Sequence, residues 1–348
     1  MPECLENLLA IPKIVLFCKY NFHHSIADPI YKELLKFIDK DLILLTGKRH
    51  IVYDMFEQTK EKFPIFVLFD EWGSLFRDCS EILITTGHSP ANKNTTLSNR
   101  NSDMDYIFCP SQYYKTELLK RGAVPKKEII VTGYPAASRI FRKEINQTSI
   151  FRYKSKDEKD RIKVLFAPTY NKDLNIIDAL IEAEQKYDLF DKMKEYSITF
   201  KLHPVLYKKY PEQAKFVMDL SLKYSNIYYH EDSHDDITDA ILWSDIVVGD
   251  CSGALLLAAC NSPVIAYDNP NRYKSEYFDE TGPEWEFRDE YAYRIDDVII
   301  HELPYLIREF IHPAVDYKKE KRESIINLLF ENQTTAEKVI AKQVRNLL

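Results

Sequence analysis

A chain of 348 residues is long enough for two globular domains, and 45% hydrophobic with 29% charged residues and no low-complexity tract excludes disorder, collagen and fibrous repeats. Lys and Arg number 47 against 54 Asp and Glu, a formal charge of −7, which excludes a general nucleic-acid binder, since that work needs excess cations to neutralise phosphates. The six cysteines, Cys4, Cys18, Cys79, Cys109, Cys251 and Cys260, include no CxxC pair and sit mostly in apolar segments, so they read as free thiols of a reducing, cytoplasmic compartment. The apolar stretch at the N-terminus is interrupted by Glu6, Asn7, Pro12 and Lys13, which fits neither a signal peptide nor a membrane span. Only 8 glycines occur and none falls in a GxGxxG or Walker A pattern, so a phosphate site has to be built another way.

Short apolar runs alternate with amphipathic stretches of helical length, the signature of parallel α/β units. The spacing predicts strands at Ile14 to Cys18, Leu42 to Leu45, Ile65 to Phe69, Ile82 to Thr86, Tyr106 to Cys109 and Ile129 to Thr132, with a helix from Ser111 to Arg121 ended by Gly122. A charged stretch, residues 142–161, reads as a linker. The rhythm then restarts with strands at Lys163 to Ala167, Ile198 to Leu202, Ile227 to Tyr229, Ile246 to Val248 and Val264 to Tyr267, and two peripheral helices close the chain. The expected division is 1–141, linker 142–161, 162–302 and C-terminal helices 303–348. The predicted class is α/β, two doubly wound domains facing a central cleft, with ligand at the carboxyl ends of the strands.

Chemistry-bearing residues gather where strands end. The fourth strand runs through Gly87 to His88, a turn suited to a general base or an ordinary loop histidine. Val131 to Pro135 ends the first half with Tyr134 in a cleft or hinge turn, and Pro168 leads into Thr169 and Tyr170, which face ligand or simply shape the turn. Lys201, Leu202, His203 and Pro204 place an imidazole at a strand end beside Lys208 and Lys209, where it holds a phosphate or caps the next helix. Asp236 and Asp239 stand in the first turn of an amphipathic helix, positions that suit a polyol hydroxyl or the helix dipole. Ile246 to Cys260 is a buried strand, a polar turn and an apolar helix. There Gly249 and Gly253 leave backbone open to a ligand and Ser252 marks the N-cap of an anion site, or Asp250 and Ser252 only satisfy N–H groups. His23, His24, His230 and His234 lack metal-ligand company and read as surface or capping histidines, so no metal site is expected.

The ordered set Gly87–His88, Asp105–Tyr106 with Pro110–Ser111, Val131 to Pro135, Leu165 to Thr169, Lys201 to Pro204, and Asp236 leading into Ser244 to Ser252 resembles the CDP-glycerol glycerophosphotransferase family. These enzymes build teichoic acids and related capsule polymers, and the resemblance spans roughly residues 80 to 270. It implies a glycosyltransferase B type fold of two Rossmann-like domains, acceptor side first and CDP-donor side second. It also implies His88 as base, His203 and Ser252 on the donor diphosphate, Asp236 supporting the site, and Tyr134, Thr169, Lys201, Asp250 and Gly253 as substrate-binding neighbours. The chain departs from the family's usual Trp-His-Gly at Gly87, His88 and Ser89, and from its Ser-Ser pair at Ser252 and Gly253.

The expected activity is transfer of an alditol phosphate, glycerol phosphate first, from a CDP-activated donor to a hydroxyl of a glycan or polyol-phosphate acceptor, releasing CMP. No tightly bound cofactor is expected. A nucleotide-sugar glycosyltransferase or epimerase, and a non-catalytic nucleotide-binding protein, are the alternatives on the same architecture. Acceptors of the family are usually lipid-linked, which implies peripheral contact with the inner membrane face. Lys318, Lys319, Lys321 and Arg322 form a cationic cluster that would touch anionic lipid or simply be a solvated helix face.

Overall fold

The computed structural model describes residues 12–38, 41–48, 50–59, 61–70, 73–92, 96–145, 161–229, 236–312 and 315–348. Cys4, most of the expected linker, and His230 and His234 lie outside the described residues. The chain forms two compact units. The first gathers Met1–His88, Thr95–Ser138 and Leu329–Leu348; the second gathers Ser89–Asn94 and Arg139–Leu328. The contiguous division expected from sequence therefore needs two corrections: a short segment after His88 clusters with the second unit, and the chain's last helix with the first.

In the first unit, β1 (Ile14–Cys18), β2 (Leu42–Thr46), β3 (Phe63–Leu68), β4 (Ser80–Thr85), β5 (Tyr106–Cys109) and β6 (Glu128–Val131) form one sheet in the order β2-β1-β3-β4-β5-β6. All pairings are parallel; Ile14 stands opposite both Leu42 and Ile65. A parallel strand is covered on both faces, so it reads as a continuous apolar run, and all five residues of β1 are buried. The helix Ala336–Arg345 buries Ala336, Ile340, Ala341 and Val344 and packs against the helix His24–Leu35 of the same unit. The C-terminal region holds three helices, Leu303–Phe310, Lys319–Leu329 and Ala336–Arg345, where two were expected.

In the second unit, β7 (Lys163–Ala167), β8 (Ser197–Phe200), β9 (Ile227–Tyr229), β10 (Ile246–Gly249), β11 (Val264–Tyr267) and β12 (Tyr293–Ile295) form a parallel sheet in the order β12-β11-β10-β7-β8-β9. Counted from its own first strand this is the dinucleotide-fold order, and the direction of winding reverses between β7 and β10, where such folds leave a crevice beyond the carboxyl ends. Val164, Phe166, Ile198, Phe200 and Val248 fill the core, with the Phe166 and Phe200 rings stacked 4.7 Å apart. Strand β12 escaped the sequence reading because it has three residues with exposed Arg294 in the middle.

Candidate functional site

The first unit delivers His88 from the end of β4. Thr85 Oγ1 donates to the carbonyl of Asp70 at 2.9 Å and accepts from the Gly87 N–H at 3.0 Å, which pins the turn. Gly87 takes a φ of +65°, left-handed backbone that glycine adopts without steric cost. The His88 ring emerges half-buried, with Nδ1 3.7 Å from Asp70 Oδ1, while the other Asp70 oxygen faces Lys19 Nζ at 3.6 Å. Under the imidazole lies His23, its ring 5.8 Å away and nearly parallel. His23 is 1% exposed, so the expected surface histidine is a buried packing partner of the candidate base. Its neighbour His24 follows the expectation more closely. It bonds Asp28 at 2.6 Å and Thr46 at 2.8 Å, and the Asp28 hydrogen bond raises its pKa against the opposing effect of burial.

Tyr134 corrects another expectation. It is buried, and its hydroxyl donates to the His88 carbonyl at 3.0 Å, so it fixes the histidine turn from behind rather than facing a ligand. Asp70 and Lys19 are the residues of this unit that the sequence reading missed. Each follows directly on an apolar strand, the rule that singled out His88.

In the second unit the turns after β7, β8 and β10 surround the crevice of the sheet. Asp250 follows β10 and is 0% exposed. Both of its oxygens accept from the Thr169 N–H, at 3.0 and 3.1 Å, and Oδ2 also accepts from the Ile176 N–H at 3.2 Å. The carboxylate is therefore spent on tying the β7 turn to the β10 turn, and Asp250 is a structural residue where a substrate ligand was expected. Thr169 is buried and held by the same bonds. A Cβ on Gly249 would stand 2.3 Å from Leu255 Cδ1 and one on Gly253 2.4 Å from Ser89 Oγ and 2.8 Å from Pro90 Cδ, so at both glycines the side-chain direction is filled by protein.

Ser252 keeps its expected place. It is the extended N-cap of the helix Gly253–Ala259, yet its side chain caps no N–H. Its buried Oγ has no hydrogen-bond partner among the described residues. A buried hydroxyl of this kind costs about 1–3 kcal/mol unless something completes it. At the end of β8, His203 is half-buried and its Nδ1 accepts from the Val205 N–H at 3.2 Å. That bond makes Nε2 the proton-bearing nitrogen of the neutral ring, and hence a donor. The Tyr170 ring lies 4.9 Å from the imidazole, and Lys209 Nζ stands 5.5 Å from the Tyr170 centroid. Lys201 is buried at the same strand end.

Asp236 caps the helix Ile237–Trp243 by accepting from the Thr238 N–H at 2.9 Å. Arg139 donates to Asp236 through one terminal nitrogen and to Asp239 Oδ1, at 2.9 Å, through the other. Burial pushes the Asp236 carboxyl up, against the pull of the Arg139 guanidinium and the Thr238 N–H. The pair expected to hold a polyol hydroxyl is thus held by an arginine of its own unit.

Burial raises the thiols Cys18 and Cys260, and pushes Cys109 up to about 12, so none of these is a thiolate nucleophile. Among the described residues no group of three His, Cys, Asp or Glu side chains is placed to hold a metal ion, and no helix is long and apolar enough to cross a membrane.

Solved structures with this fold include the wall teichoic acid polymerase TagF, at TM-score 0.68 and 15% identity over 97% of this chain and 89% of that one. A TagF variant soaked with CDPG gives TM-score 0.68 at 14% identity, over 97% of this chain and 88% of that one. The S. aureus MnaA–UDP structure, at TM-score 0.60 and 13% identity, covers 97% of this chain and 98% of its own. A UDP-GlcNAc 2-epimerase from Methanocaldococcus jannaschii gives 0.58 at 15% identity, with 95% and 99% covered. Among curated proteins none matches the sequence. The model of the CDP-glycerol:poly(glycerophosphate) glycerophosphotransferase family matches residues 82–281, from the strand that delivers His88 through the turns of Thr169, His203 and Ser252. With more than half of its length matched, including the turns of His88, Thr169, His203 and Ser252, the chain belongs to that glycerophosphotransferase family.

Proposed function

We propose that the protein transfers glycerol phosphate from CDP-glycerol to a hydroxyl at the end of a poly(glycerol phosphate) or glycan acceptor, and that His88, His203 and Ser252 carry the step. The acceptor oxygen forms a bond to the phosphorus that bears glycerol, the bond from that phosphorus to the bridging oxygen breaks, and CMP leaves. The acceptor proton passes to His88. Negative charge gathers on the diphosphate oxygens as the bond breaks, and His203 Nε2–H with the Ser252 hydroxyl are the donors for it.

The observation that supports this reading best is the pairing, in one unit, of a histidine whose Nδ1 is occupied by a backbone N–H and a buried serine hydroxyl with no partner among the described residues. Both flank β7, at the carboxyl ends of β8 and β10. A partnerless serine hydroxyl together with an imidazole N–H donor at the neighbouring strand end suits a diphosphate. Asp236 and Tyr134 act at one remove, by holding Arg139 and the His88 turn.

A lipid-linked acceptor and peripheral membrane contact belong to the same proposal. Of the four cations first considered for lipid contact, Arg322 is buried against Asp316 and Lys318 donates to the Asp289 carbonyl, which leaves Lys319 and Lys321 exposed. The activity test is CMP release by the purified protein from CDP-glycerol with a glycerol phosphate oligomer as acceptor. Turnover of UDP-GlcNAc in place of CDP-glycerol would replace this reading with an epimerase or glycosyltransferase.

A further inference from the structure

The first unit contains a cavity of about 570 Å³ in the size range of small-ligand sites. It opens at the carboxyl ends of β1, β2 and β3, where the winding of this sheet reverses between β1 and β3. Phe17, Leu68 and Phe76 form its floor. Lys19 follows β1 and Lys48 follows β2; with His50 they line it with cationic and imidazole nitrogen, and Asp70 after β3 is the one carboxylate among the described lining residues. All of these residues precede the matched segment 82–281, so the family match assigns them nothing.

We infer that this cavity binds the phosphate-bearing polyol end of the acceptor, with Lys19, Lys48 and His50 holding a phosphate and Asp70 turned to the terminal hydroxyl. The inference rests on the reading of His88 as the base. Asp70 is the wall that the cavity shares with that histidine: one carboxylate oxygen stands 3.7 Å from His88 Nδ1 and the other 3.6 Å from Lys19 Nζ. A hydroxyl received at Asp70 is thereby received beside the candidate base. The floor offers only carbon, which suits the C–H edges of a polyol chain and leaves recognition to the charged lining. In a chain of net charge −7, Lys19, Lys48 and His50 against Asp70 among the described lining residues favour an anionic ligand.

The test is equilibrium binding of a synthetic glycerol phosphate trimer to the full chain, with CMP titrated separately. The variants are Lys48→Glu, at an exposed position, and Leu75→Trp, which fills the cavity from its lining. The inference predicts that each variant weakens trimer binding at least tenfold and leaves the CMP titration as in the parent protein. Parent-like trimer affinity in both variants would overturn it. Octyl phosphate binding more tightly than the trimer would overturn the polyol assignment in favour of an apolar phosphate. If the trimer binds through the cavity but CDP-glycerol yields no CMP, the transferase reading fails while the cavity assignment stands; CMP release with variant-insensitive trimer binding gives the reverse.

Discussion

The backbone N–H of Val205 donates to His203 Nδ1 at 3.2 Å, so the neutral imidazole carries its proton on Nε2. A histidine set in this way is a hydrogen-bond donor at neutral pH without needing a positive charge. Its removal is expected to act on the charged transition state more than on folding.

His203→Ala is predicted to lower kcat/KM for CDP-glycerol by about 10²- to 10³-fold, the usual effect of deleting one charge-stabilising donor. His203→Gln, whose amide nitrogen reaches the place of Nε2, should recover part of the loss. Initial rates of CMP release, with the thermal transition as a folding control, check both.

Asp250→Ala removes the acceptor of the Thr169 and Ile176 N–H groups in a fully buried place. The expected cost is about 3 kcal/mol, from two backbone donors left without partners. Denaturant unfolding should show it as a lower midpoint, and Asp250→Asn, which keeps one acceptor oxygen, should fall between.

Gly253→Ala places a methyl group 2.4 Å from Ser89 Oγ. Overpacking of this kind costs about 1–3 kcal/mol. The strain falls on the segment after His88, which Asn92 anchors through its N–H to Glu284 Oε2 at 2.9 Å. Amide exchange at Ala91 and Asn92 should speed up, with exchange in β8 and β11 unchanged.

Glu184 supplies a pH dependence. Burial alone would raise its carboxyl, but hydrogen bonds from Lys223, the Phe190 N–H and Tyr224 outweigh it and hold the group below the ordinary value of 4.5. A carboxyl depressed in the folded state adds stability above its unfolded value and loses that stability as pH falls through its folded value. Urea midpoints should therefore decline below about pH 4.5, and Glu184→Gln should flatten that decline.

The two sheets were legible because a parallel strand covered on both faces must be apolar throughout, as in Ile14 to Cys18 and Ile246 to Val248. Strand β12 was not, since Arg294 interrupts a run of only three. The turns were legible as places, because strand ends are visible in sequence. What each polar residue does there was less so. Asp250 and Ser252 stand two positions apart in one turn; the first points at backbone amides across the crevice and the second at none, a difference of direction that composition does not encode. The neighbours of Tyr134 and Gly253 were illegible for the same reason, lying 46 residues and more away in the chain. His23 was readable in part: it sits among Tyr20, Phe22 and Phe69, an aromatic setting in which a histidine packs rather than binds.

The central claim is that His88 removes the acceptor proton in a transfer that expels CMP. The direct measurement is acceptor-dependent CMP release from CDP-glycerol by the parent protein and His88→Ala, followed in parallel with CMP binding to each. The account predicts that the variant binds CMP as the parent does and releases CMP about 10²- to 10⁴-fold more slowly in the presence of acceptor. Acceptor-dependent release at the parent rate in His88→Ala would contradict it.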